Sequence, residues 1–180
     1  IMDYKLSSLR KNIGIVLQDV FLFSDTIFNN ITLKDDNINI NEVKLAAKQI
    51  GVHDFIMSLP NNYYYNVKER GIMLSSGQRQ LIAFLRVYVS DPQILILDEA
   101  TSSIDSASEI LIQNATEKLT KNRTSLIIAH RLATVKKADN IIVMDSGNII
   151  EQGSHKELIN HMNGYYKKLY DVQFQVKNVS

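Results

Sequence analysis

The chain has no cysteine. That absence excludes disulfides, thiolate catalysis and Cys-ligated metal, and it fits a reducing compartment. An excess of charge of one sign is also lacking: 20 Lys and Arg face 19 Asp and Glu, for a formal net charge of +1. The basic residues are scattered rather than striped, so there is no electrostatic footprint for nucleic acid. No apolar run approaches the roughly 18–20 residues that a transmembrane helix needs, and the first residues do not resemble a signal peptide. Nowhere is glycine followed by lysine, so the phosphate-cradling loop G-x-x-x-x-G-K-[ST] is not found in these residues. Internal repeats and low-complexity tracts are absent as well.

What is present reads as an ordinary globular chain. Its 180 residues are 45% apolar and 22% charged, enough for one domain, or one domain with a small subdomain, around a real core. The start at Ile1-Met2-Asp3 leads us to expect a piece of a longer polypeptide. Ile13–Leu17 has the pattern of a strand buried on both faces, ending at Gln18-Asp19. From Asp25 to Ser90 the pattern turns helical. Asn41 is expected to cap a helix whose apolar face is Val43, Ala46, Ala47 and Ile50, with Gly51 past its end. Phe55, Ile56 and Leu59 suit a second, short helix stopped at Pro60. Asn61 to Lys68, with its consecutive tyrosines, reads as a polar loop. A further helix is expected from about Gly77 through Leu81, Phe84, Leu85 and Tyr88 to Asp91-Pro92.

After Pro92 strands return. Gln93–Leu97 and Ser125–Ala129 are apolar runs, separated by a helix that Asp105 can cap and that carries Ile112, Ala115 and Leu119. Ile141–Met144 and Ile149–Ile150 flank Ser146-Gly147, a two-residue hairpin signal. Ser154 with Glu157 forms a capping box, and a Tyr-rich amphipathic helix follows Gly164. Strands alternating with helices predict an α/β fold, a mainly parallel sheet with helices on both faces. We expect residues 1–24 and 91–180 to form its core and residues 25–90 a helical subdomain.

Three of the apolar strands end in a polar group with chemistry: Gln18, Asp98-Glu99 and His130. In open α/β sheets ligands bind at the carboxyl ends of the strands, so three such endings on one edge mark a candidate site. A strand ending in two adjacent acids puts one carboxylate on each side of its pleat. Ser75-Ser76-Gly77-Gln78 opens a helix, whose first turn presents unpaired N–H groups and a partial positive charge to an anion. The serines add hydroxyl donors and Gly77 permits close backbone approach. His53, His155 and His161 sit in helical or capping contexts and read as ordinary surface residues, and no pair of them has metal-ligand spacing.

Leu74-Ser75-Ser76-Gly77-Gln78-Arg79-Gln80 resembles the signature motif of the ATP-binding cassette (ABC) transporter family, with Ser76 where the usual form has Gly. Ile94-Leu95-Ile96-Leu97-Asp98-Glu99 resembles its Walker B strand, Val16-Leu17-Gln18 its Q-loop, Ser102-Ser103-Ile104-Asp105 its D-loop, and His130 its switch-loop histidine. The likeness runs from about Leu9 to about Tyr166, with the motifs in the family's order. It implies a P-loop NTPase fold of the RecA-like, ABC ATPase kind, with ATP and Mg²⁺ as cofactors. Asp98 and Gln18 are then expected to hold Mg²⁺ and Glu99 to polarise the attacking water. His130 would contact the γ-phosphate, and Ser75, Ser76, Gly77 and Gln78 would meet the γ-phosphate of ATP held by an opposite cassette. Asp105 would cross between the two cassettes.

Leu22-Phe23-Ser24-Asp25-Thr26-Ile27, Val67-Lys68-Glu69-Arg70-Gly71 and Gly153-Ser154-His155-Lys156-Glu157-Leu158 resemble exporter sequences. The second is similar to the segment that touches the membrane domain, and Lys68 stands where Gly is usual. The resemblance thus implies an exporter's nucleotide-binding domain at the cytoplasmic face of a membrane, partnered by a second such domain and a transmembrane domain. It also places the P-loop strand between Ser125–Ala129 and Ile141–Met144. We expect the chain to be truncated before that loop, to be inactive alone, and to close the gap by sheet rearrangement, by the segment Ile1–Leu6, or by strand exchange between chains. Two alternatives stand beside this reading: a non-catalytic cassette module that supplies its signature in trans, and a soluble ABC-type ATPase.

Overall fold

In the computed structural model the described residues are 5–99, 106–129 and 132–177. They fall into two compact units, Ile1–Ile128 and Ala129–Ser180.

The first unit opens with helix α1 (Leu6–Asn12), which leads directly into strand β1 (Ile13–Val16). Helices α2 (Ile27–Thr32), α3 (Ile40–Ile50), α4 (His53–Met57) and α5 (Ser76–Ser90) follow. Strand β2 (Ile94–Glu99), helix α6 (Ser106–Thr120) and strand β3 (Thr124–Ala129) complete it. The sheet order is β1-β2-β3, and β1 pairs with β2 in parallel, Ile13 opposite Ile94 and Val16 opposite Leu97. The Thr124 amide donates to the Gln93 carbonyl at 3.3 Å, so β3 starts beside the start of β2. The parallel α/β expectation therefore holds. Of the segment Ile1–Leu6, residues 1–4 lie outside the described residues, and Leu6 begins α1.

The core of this unit gathers around α5. Leu81, Ile82, Phe84, Leu85 and Val87 of that helix are buried with Val16, Leu95 and Leu97 of the sheet and Ile112, Ala115 and Leu119 of α6. Each such aliphatic side chain contributes about 1.5–3 kcal/mol relative to exposure. Contact with β1 is so close that a Cβ on Gly14 would lie 2.6 Å from both Pro92 Cγ and Val87 Cγ1. The alternate residues Ile15, Ile94, Leu126 and Ile128 are exposed.

Local chemistry corrects two sequence expectations in the helical stretch. Asn39, not Asn41, caps α3: its Oδ1 accepts from the Glu42 amide while Glu42 Oε2 accepts from the Asn39 amide, a full capping box. Residues 61–68 are not a plain polar loop. Asn62–Tyr64 forms a 3₁₀ turn that buries Tyr63, Val67 is buried as well, and Asn66 bridges to Thr26. The short α4 lies where the sequence places a second helix, and it ends at Ser58 before reaching Pro60.

The second unit contains helix α7 (Leu132–Val135), strands β4 (Ile141–Asp145) and β5 (Asn148–Gly153), and helices α8 (His155–Leu158) and α9 (Tyr165–Lys177). β4 and β5 form an antiparallel hairpin. Its turn holds Ser146 and Gly147 at φ 48° and 80°, the left-handed pair that suits the strand twist. The Ser154–Glu157 capping box forms as expected. Glu151 of β5 then accepts from the amides of Tyr165 and Tyr166 at 3.0 and 2.8 Å, fixing the start of α9. Ile141, Val143, Leu158 and Tyr166 make the small core. Among the described residues no helix is long and apolar enough to cross a membrane.

Two histidines also differ from expectation. His53 Nδ1 lies 2.8 Å from the Tyr63 hydroxyl, and His155 Nδ1 lies 2.7 Å from that of Tyr166, each pair half-buried. They are packing and hydrogen-bonding residues rather than ordinary surface ones.

Candidate functional site

The parallel register places two of the sequence-predicted strand endings together. Because Val16 lies opposite Leu97, the turn at Gln18 and the end of β2 at Asp98-Glu99 occupy one carboxyl edge of the sheet. Gln18 is exposed and Asp98 is half-buried, so both remain open to a ligand. Glu99 closes β2, but its side chain lies outside the described residues, as do Asp105 and His130. Among the described residues no three His, Asp or Glu side chains gather as a metal site. An ion that keeps its waters and binds one or two carboxylates needs no such cluster.

The Ser75–Gln78 group stands at the other end of α5 from the Asp91-Pro92 elbow that leads into β2. Ser75 is the N-cap. Its Oγ accepts from the Gln78 amide at 3.2 Å, and Gln78 Oε1 accepts from the Ser75 amide at 3.0 Å. Arg79 ties off the preceding turn by donating to the Leu74 carbonyl at 2.7 Å. Four residues chosen from the sequence thus form one compact helix start, with Ser75 and Ser76 exposed and Gly77 buried.

A cleft of about 520 Å³ lies beside this turn, lined by Val20, Glu69, Ile72 and Arg79. Gly71 packs against one of its lining side chains, Arg79. At φ +66° a side chain is strained, and a Cβ there would sit 3.0 Å from Leu22 Cδ1 and 3.3 Å from Arg79 Cδ. Lys68, where the resembling family has Gly, adopts φ 54° and ψ −165°. Ile72 of the cleft's lining is 77% exposed, and Phe21 and Phe23, which follow Val20 in the chain, stand edge to face at 5.2 Å and are about half exposed. A separate cleft of about 500 Å³, lined by Asn37, Glu42, Tyr88, Asp91 and Arg123 among others, holds none of the predicted site residues.

Two residues that sequence reading misses hold the segment after Gln18. Asn30, fully buried, takes the Phe23 amide on Oδ1 at 2.8 Å and donates to the carbonyls of Phe23 and Thr26, both at 3.0 Å. Arg86 of α5 donates from Nε to the Asn30 carbonyl at 2.8 Å and from Nη2 to the Phe21 carbonyl at 3.4 Å. Burial pushes the guanidinium below its ordinary pKa. Nearby, the Lys34 ammonium at 2.9 Å, then Asn29 and the Thr26 amide, hold Asp25 down at about 2. An Asn inside a helical pattern is an unremarkable polar residue, and only the tertiary fold reveals this one's partners.

The chain is similar to known proteins. A family model described as ABC transporter matches residues 1–102. A protein of Bacillus subtilis (strain 168), provisionally named a multidrug export ATP-binding/permease protein, is 49% identical over 173 residues, 96% of this chain and 30% of that protein. A Staphylococcus aureus (strain NCTC 8325 / PS 47) protein with the same description matches at the same identity and coverage. The solved structure of a bacterial Atm1-family ABC exporter with ATP bound agrees at a TM-score of 0.82 and 42% identity, over 93% of this chain and 29% of that one. The chain therefore spans about 30% of the length of these relatives. By family match, by relatives and by fold, the chain belongs to the ABC transporter family and has the fold of its ABC ATPase domain.

Proposed function

We propose that this chain is an ATP-binding and hydrolysing domain of an ABC exporter, coupling ATP hydrolysis to export across a membrane from its cytoplasmic face. The observation that carries the reading is the shared edge of Gln18 and Asp98-Glu99, combined with the capped Ser75–Gln78 helix start. Residues 1–24 and 91–180 serve as the catalytic core and residues 25–90 as the helical signature subdomain. Asp98 and the Gln18 carboxamide suit Mg²⁺, which takes one or two protein oxygens and completes its shell with water and phosphate. When bound, the ion neutralises charge on the phosphates. Glu99 draws the proton from the attacking water, and His130 steadies the γ-phosphate. Ser75, Ser76, Gly77 and Gln78 receive the γ-phosphate of ATP on a second cassette, with Asp105 crossing to it. The Val20–Glu69–Ile72–Arg79 cleft, with its exposed Ile72, docks the transmembrane domain.

The test is Glu99→Gln in the intact reading frame. ATP binding is expected to persist while turnover falls by roughly 10²–10⁴, the usual contribution of a positioned general base. Unchanged turnover would overturn the assignment. A second reading is a non-catalytic module that offers its signature to a complete cassette, and an intact reading frame with no turnover at all would favour it. On either reading, these residues by themselves are expected to hydrolyse Mg-ATP no faster than background.

A further inference from the structure

We propose that Arg86, together with Asn30, is a positioning residue that transmits contact at Phe21 and Phe23 to the Ser75–Gln78 start of α5. The proposal rests on the exporter reading for its purpose, but its geometry stands on this chain. Asn30 is 0% exposed, and its carboxamide clamps both the amide and the carbonyl of Phe23. A primary amide has two donor protons, and here they go to Phe23 and Thr26. The Phe23 backbone therefore cannot shift without moving α2. Since α2 ends at Thr32, the Asn30 carbonyl is one of its last-turn acceptors without an intrahelical donor. Arg86 supplies that donor and spans to the Phe21 carbonyl with the same guanidinium. One planar fork thus joins the end of α2, the Phe21 backbone and α5.

The direction of transmission follows from what is exposed and what is rigid. Phe21 and Phe23 are about half exposed while their backbone is tied down, the arrangement of a surface built to be touched. Arg86 sits on the continuous α5, whose first residue is Ser76. Displacement of the 21–23 backbone therefore reaches the helix that carries the signature residues. Lysine cannot take over this role, because a single ammonium lacks the fixed spacing of the guanidinium fork.

Deuterium exchange on the full-length protein, nucleotide-free, tests the link by a double-mutant cycle. Replacing Phe21 and Phe23 by Ala is expected to speed exchange of the Gln78 and Arg79 amides severalfold, and to add nothing in an Arg86→Met background. Equal effects in both backgrounds, or no effect at α5 in the native background, would overturn the proposal and leave Arg86 merely structural. Should Arg86→Met fail to fold, Arg86→Lys serves instead, and in that background too the Phe replacements are expected to add nothing. ATP turnover is measured in parallel. Its absence from the native full-length protein, with the exchange coupling intact, sinks the exporter reading and not the coupling.

Discussion

Ser75 and Gln78 hold each other at the start of α5, the side chain of each accepting from the backbone amide of the other at 3.2 and 3.0 Å. The pair satisfies two amides that the helix itself cannot. Replacing Ser75 by Ala is expected to cost about 1 kcal/mol, the usual worth of a serine cap. Because the two bonds act together, Gln78→Ala in the same chain should cost less than its effect alone. Urea unfolding of the three variants measures both quantities, and full additivity would show that the bonds act independently.

What the sequence made legible was local or periodic. The β2 run, the Ser154–Glu157 box and the Ser146-Gly147 turn all depend on residues within a few positions of one another, and all were found as expected. Asn39 and Asn41 are both good caps. The choice between them rests on Glu42 standing three residues after Asn39, a spacing that was readable in the sequence. Tyr63 was not readable: three tyrosines in a row have no periodicity, and tertiary packing alone selects the one that is buried. Arg86 and Asn30 are separated by 56 positions, so no window of the sequence links them.

Lys68 offers a test of backbone strain. At φ 54° and ψ −165° it occupies a region that is nearly glycine-only, at a cost on the order of 1–3 kcal/mol. Glycine relieves this strain but loses about 0.4–1 kcal/mol through the greater freedom of its unfolded state. Lys68→Gly is therefore expected to stabilise the chain by roughly 0.5–2 kcal/mol, the difference of those terms. A lower denaturation midpoint would mean that the Lys68 side chain itself holds the turn.

Asp25 predicts an acid dependence. Its folded pKa is about 2 against an ordinary 3.8, lowered first by the Lys34 hydrogen bond and then by Asn29 and the Thr26 amide. A depressed value means that the unfolded chain binds the proton first as pH falls. The stabilisation is thus fully present above about 4 and is lost as pH drops towards 2. Asp25→Asn should flatten the fall of the urea midpoint between pH 4 and 2, and an unchanged slope there would remove Asp25 as its source.

Tyr63 predicts the opposite limb. Burial, and then the charge of Asp54, push its phenol up from 10.0 to about 12, while the hydroxyl lies 2.8 Å from His53 Nδ1. Here the folded state keeps the proton longer than the unfolded chain. Tyr63 therefore contributes stability below pH 10 that is lost as pH rises towards 12. Tyr63→Phe should cost about 1 kcal/mol near neutral pH, because the hydrogen bond is lost and the half-buried imidazole nitrogen keeps no partner there. The same variant should show a shallower loss of stability above pH 10 and lack one late-ionising component in the ultraviolet titration. If the native chain and the variant titrate alike, Tyr63 is not held neutral by its surroundings, and the buried 3₁₀ turn does not form as described.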